Sequence, residues 1–98
     1  MKYYVSIDCG TQSTKVAIYD ENSNSIAQHS TPNQIKYPKP GWAELDADSY
    51  VQAALKGIRE CLNSSKINPS HVRAICGDGI ICGVVGVDKD GEAITPFI

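Results

Sequence analysis

An α/β fold with one small sheet and a single helical layer is predicted by the order of patterns along these 98 residues. Three strand-like stretches come first, one apolar stripe at helical spacing follows, and further strand-like segments come after it. The apolar fraction of 42% matches that of an ordinary globular domain, so we expect a packed core rather than disorder.

The first thirty residues predict an antiparallel meander. Residues 3–7 and 15–19 are rich in β-branched and aromatic side chains, and residues 26–31 return as a third strand. The polar cluster 20–25 favours a turn between the second and third strands. Prolines and a glycine between Pro32 and Trp42 cannot continue a central strand, so we expect a loop there.

A helix is predicted next. Asp46 or Asp48 can cap its start, and the helix should run to about Asn63. Its apolar side chains recur at helical spacing and should form the stripe that faces the sheet: Tyr50, Val51, Ala54, Leu55, Ile58 and Leu62.

The last third of the chain predicts more strand structure. Residues 72–76 and 83–87 are strand-like, and the break at 68–71 separates the first of them from the helix. Asp88-Lys89-Asp90-Gly91 predicts a hairpin turn into residues 92–94, because glycine supplies the positive φ that such turns need.

Charge and cysteine content exclude several classes of function. Nine Lys and Arg against eleven Asp and Glu give a net charge of -2, with no basic run for binding nucleic acid. The four cysteines form no C-x-x-C pair, which favours free thiols in a reducing cytoplasm over a zinc site or a disulfide scaffold. The apolar run 3–7 is too short for a signal peptide or a membrane span.

Residues 8–15, between the first two strands, have the composition of a nucleotide phosphate site. Gly10 lets the backbone approach phosphate oxygens, and the Thr11 and Ser13 hydroxyls can donate hydrogen bonds to them. Lys15 adds positive charge, and Asp8 offers a hard oxygen ligand for Mg²⁺. By composition alone, a plain hairpin turn explains Asp8 to Thr11 equally well.

Three segments together resemble the FGGY carbohydrate kinases, which belong to the superfamily of actin, hexokinase and the heat-shock chaperone ATPases. Residues 8–15 resemble the family's first phosphate motif, D-x-G-T-x-S-x-[KR]. Residues 37–46 are similar to its Y-P-x-P-G-W-x-E-x-D segment, and residues 79–83 to the stretch where xylulokinases carry G-Q-M-H-G. The first motif is shared across the superfamily, whereas the Pro-Gly-Trp segment points to the sugar kinases.

The resemblance implies a ribonuclease-H-like (actin-like ATPase) domain with a mixed sheet and a helix. Residues 1–98 would be its N-terminal part, with the rest of that domain and a second domain beyond Ile98. The implied cofactors are ATP and Mg²⁺. Asp8 would hold the metal, and the nucleotide-binding residues would be Asp8, Gly10, Thr11, Gln12, Ser13 and Lys15.

The activity implied by the resemblance is phosphorylation of a small sugar or polyol, with a ketopentose such as xylulose as the first expectation. The catalytic base would lie beyond Ile98, so the 98 residues alone should be inactive, and the full-length enzyme should be a cytoplasmic homodimer. Two alternatives stay open. One is a glycerol kinase-like enzyme, and the other is a non-enzymatic, actin-like nucleotide-binding module.

The expected substrate side lies near residue 80. Ile81 and Cys82 fall where xylulokinases place Met and His and where glycerol kinases place an Arg-Glu pair, so the substrate is left open. Asp78 is a candidate acceptor for sugar hydroxyls, although a turn aspartate between two glycines explains it equally well. Trp42 is interpreted as a loop anchor on the core rather than a sugar-stacking platform, and Cys9 is given no role.

Overall fold

A computed structural model describes residues 1–81 and 83–98. Its sheet has four strands in the order β3-β2-β1-β4, and one helix packs on one face of it. No helix within the described residues has the length and apolar content needed to cross a lipid bilayer. In chain order the structure has β1 (Tyr3–Cys9), β2 (Ser13–Asp20), β3 (Ser25–Pro32), α1 (Ala47–Ser65), a 3₁₀ turn (Pro69–His71) and β4 (Val72–Gly79).

The first three strands form the predicted antiparallel meander. β1 pairs with β2 so that Asp8 lies opposite Lys15, and β2 pairs with β3. The turn between β2 and β3 is held by Asp20, whose carboxylate accepts hydrogen bonds from the backbone N–H groups of Asn22 and Asn24, both at 2.9 Å. These hydrogen bonds, the one from the Asn24 backbone first, lower the pKa of Asp20.

Helix α1 starts at the first of the two predicted caps. The Asp46 side chain accepts a hydrogen bond from the Asp48 N–H at 3.0 Å, which satisfies one of the free donors of the first turn. The helix ends at Ser65, two residues beyond the predicted end, where Lys66 takes a left-handed conformation with φ of 57°.

The face that α1 buries matches the predicted stripe only in part, at Ile58 and Leu62, which pack against the core. Small residues, Ala53, Gly57 and Cys61, are the buried ones, whereas Val51 and Leu55 are 55% and 50% exposed. The prediction was wrong at these two positions because helix and sheet approach closely. A Cβ on Gly57 would lie 2.5 Å from Cγ2 of Val16 on β2, so only a glycine fits there.

β4 returns parallel to β1 after the helix, which makes the sheet mixed as predicted. The strand runs three residues further than expected, to Gly79, and brings Asp78 beside Asp8. The buried core lies between α1 and the first two strands, and its members are Val5, Val16, Ile18 and Cys61.

Residues 83–98 contain less strand structure than predicted. Residues 83–87 form no strand. Val87 is bridged to Ala93 across the predicted hairpin, and Val84 exchanges two backbone hydrogen bonds with Ile98. The hairpin turn itself is present: Gly91 has φ of 81°, and the Asp88 carboxylate accepts from the N–H groups of Asp90 and Glu92 at 2.9 Å. The two glycines of 83–87 weaken strand formation.

Candidate functional site

The turn between β1 and β2 is built on a close backbone approach at Gly10. The Gly10 N–H donates to the carbonyl oxygen of Ser13 at 3.0 Å. A Cβ on residue 10 would also lie 3.0 Å from that oxygen, tighter than side chains normally tolerate. The sequence therefore folds here into a tight loop, residues 10–12, that requires a glycine at its start.

The carbonyl groups of this loop are bound from behind by two distant residues. Asn33 donates from Nδ2 to the Gly10 carbonyl at 2.8 Å and from its backbone N–H to the Gln12 carbonyl at 2.7 Å. The Tyr50 hydroxyl donates to the Gly10 carbonyl at 2.9 Å. Among residues 1–81 and 83–98, no hydrogen bond uses the N–H of Thr11 or Gln12, and both residues are exposed. These two donors are available to an anion.

Asp8 and Lys15 lie on the face of the sheet opposite the helix. They are directly opposite each other in the β1–β2 register, and both are exposed. Both line an open concavity of about 550 Å³, together with polar side chains from all three strands of the meander. Opposite charges thus stand side by side next to the loop, a carboxylate suited to a cation and an ammonium suited to an anion.

Asp78 stands on the other side of Asp8. It belongs to β4 and pairs in register with Asp8, so of the two interpretations that the sequence left open, the turn aspartate was wrong. A hydrogen bond with the Asp8 carboxyl group, and then the negative charge of that group, raise the pKa of Asp78. Two carboxyl groups from neighbouring parallel strands therefore meet at the edge of the loop.

Cys9, between Asp8 and Gly10, is not an activated thiol. Desolvation, and then the negative charges of Asp8 and Asp78, raise its pKa. A raised pKa leaves less thiolate at neutral pH, so the site does not favour nucleophilic chemistry at this sulfur.

The remaining residues singled out in the sequence are Ile81, Cys82 and Trp42. Ile81 is 85% exposed, and Cys82 falls outside the described residues. Trp42 is 49% exposed, and its ring lies under the Lys39 ammonium at 4.7 Å from the centroid. The interpretation of Trp42 as an anchor on the core was wrong, because the residue is half exposed.

All six residues proposed for nucleotide binding come together at one end of β1 and β2: Asp8, Gly10, Thr11, Gln12, Ser13 and Lys15. Sequence reasoning missed Asn33 and Tyr50, which contact the loop from 23 and 40 residues away. Tyr50 was counted as one more apolar residue of the helix. No local spacing marks either residue as part of the site.

Known proteins resemble this chain over nearly its whole length. A family model described as "FGGY family of carbohydrate kinases, N-terminal domain" matches residues 3–98. A glycerol kinase of Thermococcus kodakarensis is 33% identical over 95 residues, covering 95% of this chain and 19% of that protein. The chain spans about a fifth of the length of the curated relatives that it matches.

Solved structures give the same result in three dimensions. A xylulose kinase from Rhodospirillum rubrum superposes with a TM-score of 0.86 at 28% identity, covering 98% of this chain and 20% of that one. A glycerol kinase of Plasmodium falciparum, solved with ADP, superposes with a TM-score of 0.79 at 25% identity. The match covers 100% of this chain and 20% of the glycerol kinase chain.

Proposed function

Because this chain belongs to the FGGY family of carbohydrate kinases, we propose that it is the N-terminal part of a longer enzyme that transfers the γ-phosphoryl group of ATP to a hydroxyl of a small sugar or polyol. The fold is the one that the sequence predicted, the N-terminal part of an actin-like ATPase domain with a mixed sheet and a helix. The remainder of this first domain and the second domain would follow residue 98.

The observation that carries this proposal is the loop at residues 10–12. It turns two free N–H groups outward while its carbonyl groups are bound behind it, and such an arrangement favours a phosphate. In the proposed enzyme the tight turn at Gly10 lets the backbone approach the phosphates, and the Thr11 N–H and the hydroxyls of Thr11 and Ser13 orient them. The Gln12 N–H adds a donor, and Lys15 adds a mobile positive charge.

Asp8 is the proposed metal ligand. Its carboxylate is exposed at the end of a strand, beside both the loop and a second carboxyl group, so the oxygen donors present suit a hard divalent cation. Bound Mg²⁺ would supply charge neutralisation at the phosphates. Asp8 would hold it through water, since Mg²⁺ keeps several waters and takes only one or two carboxylates.

For the substrate we propose a ketopentose such as xylulose. The Arg-Glu pair that the resemblance places in glycerol kinases at residues 81 and 82 is replaced by Ile81 and Cys82. Asp78 supplies a carboxyl group for sugar hydroxyls in this proposal, close enough to Asp8 to lie near the transferred group. A polyol such as glycerol is the second candidate, favoured by the 33% identity to a glycerol kinase.

The catalytic base is proposed to lie outside these 98 residues, as in the sequence prediction. A general base contributes about 10²–10⁴-fold to such reactions, so its domain is required for turnover. We further propose a cytoplasmic homodimer that binds small molecules and neither nucleic acid nor membranes. The net charge of -2 and the lack of a basic run argue against nucleic acid. The four cysteines without a C-x-x-C pair favour a reducing compartment.

The test is steady-state kinetics of the full-length protein with ATP and Mg²⁺ against xylulose, ribulose, gluconate and glycerol. We expect turnover with one of them, and a fall in kcat of roughly a hundredfold in Asp8→Ala, because the lost carboxylate acts on the metal and the phosphoryl group. Binding of the accepted sugar, measured by calorimetry, should survive. A folded Asp8→Ala protein with a near wild-type kcat would show that the phosphate site is elsewhere.

A further inference from the structure

The Gly10 carbonyl has both of its acceptor positions used. One hydrogen bond comes from Nδ2 of Asn33 at 2.8 Å, and the other comes from the hydroxyl of Tyr50 at 2.9 Å. A peptide carbonyl has two lone pairs, so this oxygen has no acceptor capacity left. The next carbonyl but one, that of Gln12, accepts from the backbone N–H of Asn33 at 2.7 Å. With a longer contact of 3.5 Å from Nδ2 to the Thr11 carbonyl, one asparagine thus contacts all three carbonyls of the loop.

The amide of Asn33 is itself fixed in orientation. Its Oδ1 accepts a hydrogen bond from Oγ1 of Thr14 at 2.9 Å, and Thr14 is 1% exposed. The reverse amide orientation would set two acceptors, Oδ1 and the Gly10 carbonyl, against each other, which costs free energy. The Gly10 carbonyl, which can only accept, therefore selects this orientation of Asn33, and the hydrogen bond from the buried Thr14 hydroxyl anchors the amide in it.

This network determines what the loop presents outward. Because its carbonyl oxygens are hydrogen-bonded to Asn33 and Tyr50, the loop cannot turn these partially negative oxygens toward an anion. The N–H groups of Thr11 and Gln12 are left as its free backbone donors within the described residues. Donors that are oriented before binding avoid the ordering cost that a mobile loop would incur on binding.

We propose that Asn33 and Tyr50 are positioning residues for the nucleotide: they hold the loop 10–12 in the conformation that accepts phosphate, and the buried Thr14 hydroxyl orients Asn33. This inference rests on the proposed function, since it assumes that the loop binds the phosphates of ATP or ADP. It adds Asn33, on the loop after β3, and Tyr50, on α1, which lie outside the motif at 8–15, and it gives a role to Thr14, a position within the motif that had none. Neither Asn33 nor Tyr50 needs to touch the nucleotide.

The experiment measures ADP binding to the full-length protein by calorimetry without sugar, together with the KM for ATP, the KM for the sugar and the melting temperature. Asn33→Ala should weaken ADP binding about tenfold, which equals about 1.4 kcal/mol. Tyr50→Phe, which removes one hydrogen bond without changing shape, should weaken it about threefold to fivefold. The KM for the sugar should stay within twofold of wild type in both.

Matched variants separate the positioning role from a general loss of structure. Thr14→Val removes the hydroxyl and keeps the volume, so it should weaken ADP binding, whereas Thr14→Ser should keep it close to wild type. Gln34→Ala, next to Asn33 but exposed, and Tyr37→Phe, on an exposed tyrosine, are the neutral controls. Because Tyr50→Phe and Thr14→Val preserve shape, the test does not depend on the stability of Asn33→Ala.

Each outcome supports or overturns the inference. A selective loss of ADP affinity with unchanged sugar KM supports it. Unchanged ADP affinity in Asn33→Ala and Tyr50→Phe overturns the inference and leaves the proposed kinase function intact. The inference is also overturned if ADP affinity and sugar affinity fall by the same factor and the melting temperature falls with them. A wild-type protein that binds no ADP and phosphorylates no sugar overturns the proposed function and this inference together.

Discussion

Lys15 is the only positively charged side chain of the motif at residues 8–15, and it shares an open concavity with Asp8. Its ammonium is a point charge on a flexible stem, one of several contacts proposed for the phosphates. Lys15→Ala should therefore raise the KM for ATP and lower kcat/KM by about tenfold, less than the loss in Asp8→Ala. Steady-state kinetics in parallel with Lys89→Ala, a lysine of the distant hairpin turn, checks this. Equal falls in kcat/KM in Asp8→Ala and Lys15→Ala would contradict the proposal that Asp8 is the metal ligand and Lys15 only one of several phosphate contacts.

Two cysteines differ sharply in environment. Cys61 is fully buried, and desolvation, followed by the charge of Glu60, raises its pKa, whereas Cys76 on β4 is exposed. A raised pKa means less thiolate at neutral pH, and burial adds a barrier to access. In the native 98-residue chain, iodoacetamide should alkylate Cys61 much more slowly than Cys76, as measured by peptide mass spectrometry. The two rates should converge in urea, and equal rates in buffer would contradict the burial of Cys61.

The motif at residues 8–15 could be predicted from the sequence because its residues are close together along the chain. One strand-turn-strand unit is enough to bring Asp8 beside Lys15. The roles of Asn33 and Tyr50 in the site could not be predicted from the sequence, because their contacts with Gly10 form only when β3 and α1 have packed. The same holds for Asp78. Its composition suggests a turn, and only the parallel pairing of β4 with β1 places it in a strand next to Asp8.

The contact of α1 with the sheet depends on one glycine. In an isolated helix, Gly57→Ala would be stabilising by about 1 kcal/mol. Here the added Cβ would lie 2.5 Å from Cγ2 of Val16, a short and stiff side chain in the core. Helix and sheet must then move apart, at a cost of about 1–3 kcal/mol in the free energy of unfolding. Thermal melting of the full-length protein should show a lower midpoint in Gly57→Ala.

A double-mutant cycle tests the cause of that loss. Val16→Ala removes the Cγ2 contact but leaves the Cβ of residue 16 at 2.8 Å from a Cβ on residue 57. Gly57→Ala should therefore cost less in this background than in wild type, and the two changes should be non-additive. Gln52→Ala, on the exposed face of α1, is the control and should change the midpoint little. Additive losses from Gly57→Ala and Val16→Ala would mean that the close approach is not what limits residue 57.

Secondary structure was predictable where local pattern and long-range packing agree. The meander, the Asp46 cap and the Asp88–Gly91 turn depend on local chemistry, and each was predicted. Burial on α1 was predicted only in part: Ile58 and Leu62 pack against the core, whereas Val51 and Leu55 are exposed and the narrow gap to β2 buries small residues instead. The predicted strand at 83–87 does not form, because its backbone contacts are isolated: Val84 exchanges hydrogen bonds with Ile98, Gly86 accepts from Ile94, and Val87 is bridged to Ala93, without a continuous ladder.

Taken as one body, the molecule leaves much apolar surface open. Ile75 of β4 is 61% exposed, Val51 and Leu55 of α1 are half exposed, and Ile81 and Val84 are more exposed still. Exposed apolar clusters of this kind associate with other surfaces. We expect the 98-residue chain alone to sediment as a concentration-dependent mixture of species, and Ile75→Lys to shift it toward monomer without lowering its melting temperature. A monodisperse wild-type chain over a wide concentration range would contradict this.

The 98 residues alone should not catalyse phosphoryl transfer. Phosphoryl transfer depends mainly on positioning and charge neutralisation, so a protein that grips the phosphates without orienting the accepting hydroxyl gains little rate. This chain spans about a fifth of its relatives' length, and the proposed base lies outside it. The purified 98-residue chain should therefore form no sugar phosphate from ATP and xylulose in an assay where the full-length protein turns over. Mixing it with a separately expressed remainder of the protein is the positive control, because restored turnover would show that the fragment is folded and only incomplete. Sugar phosphate formed by the 98 residues alone would show that the catalytic base lies within them.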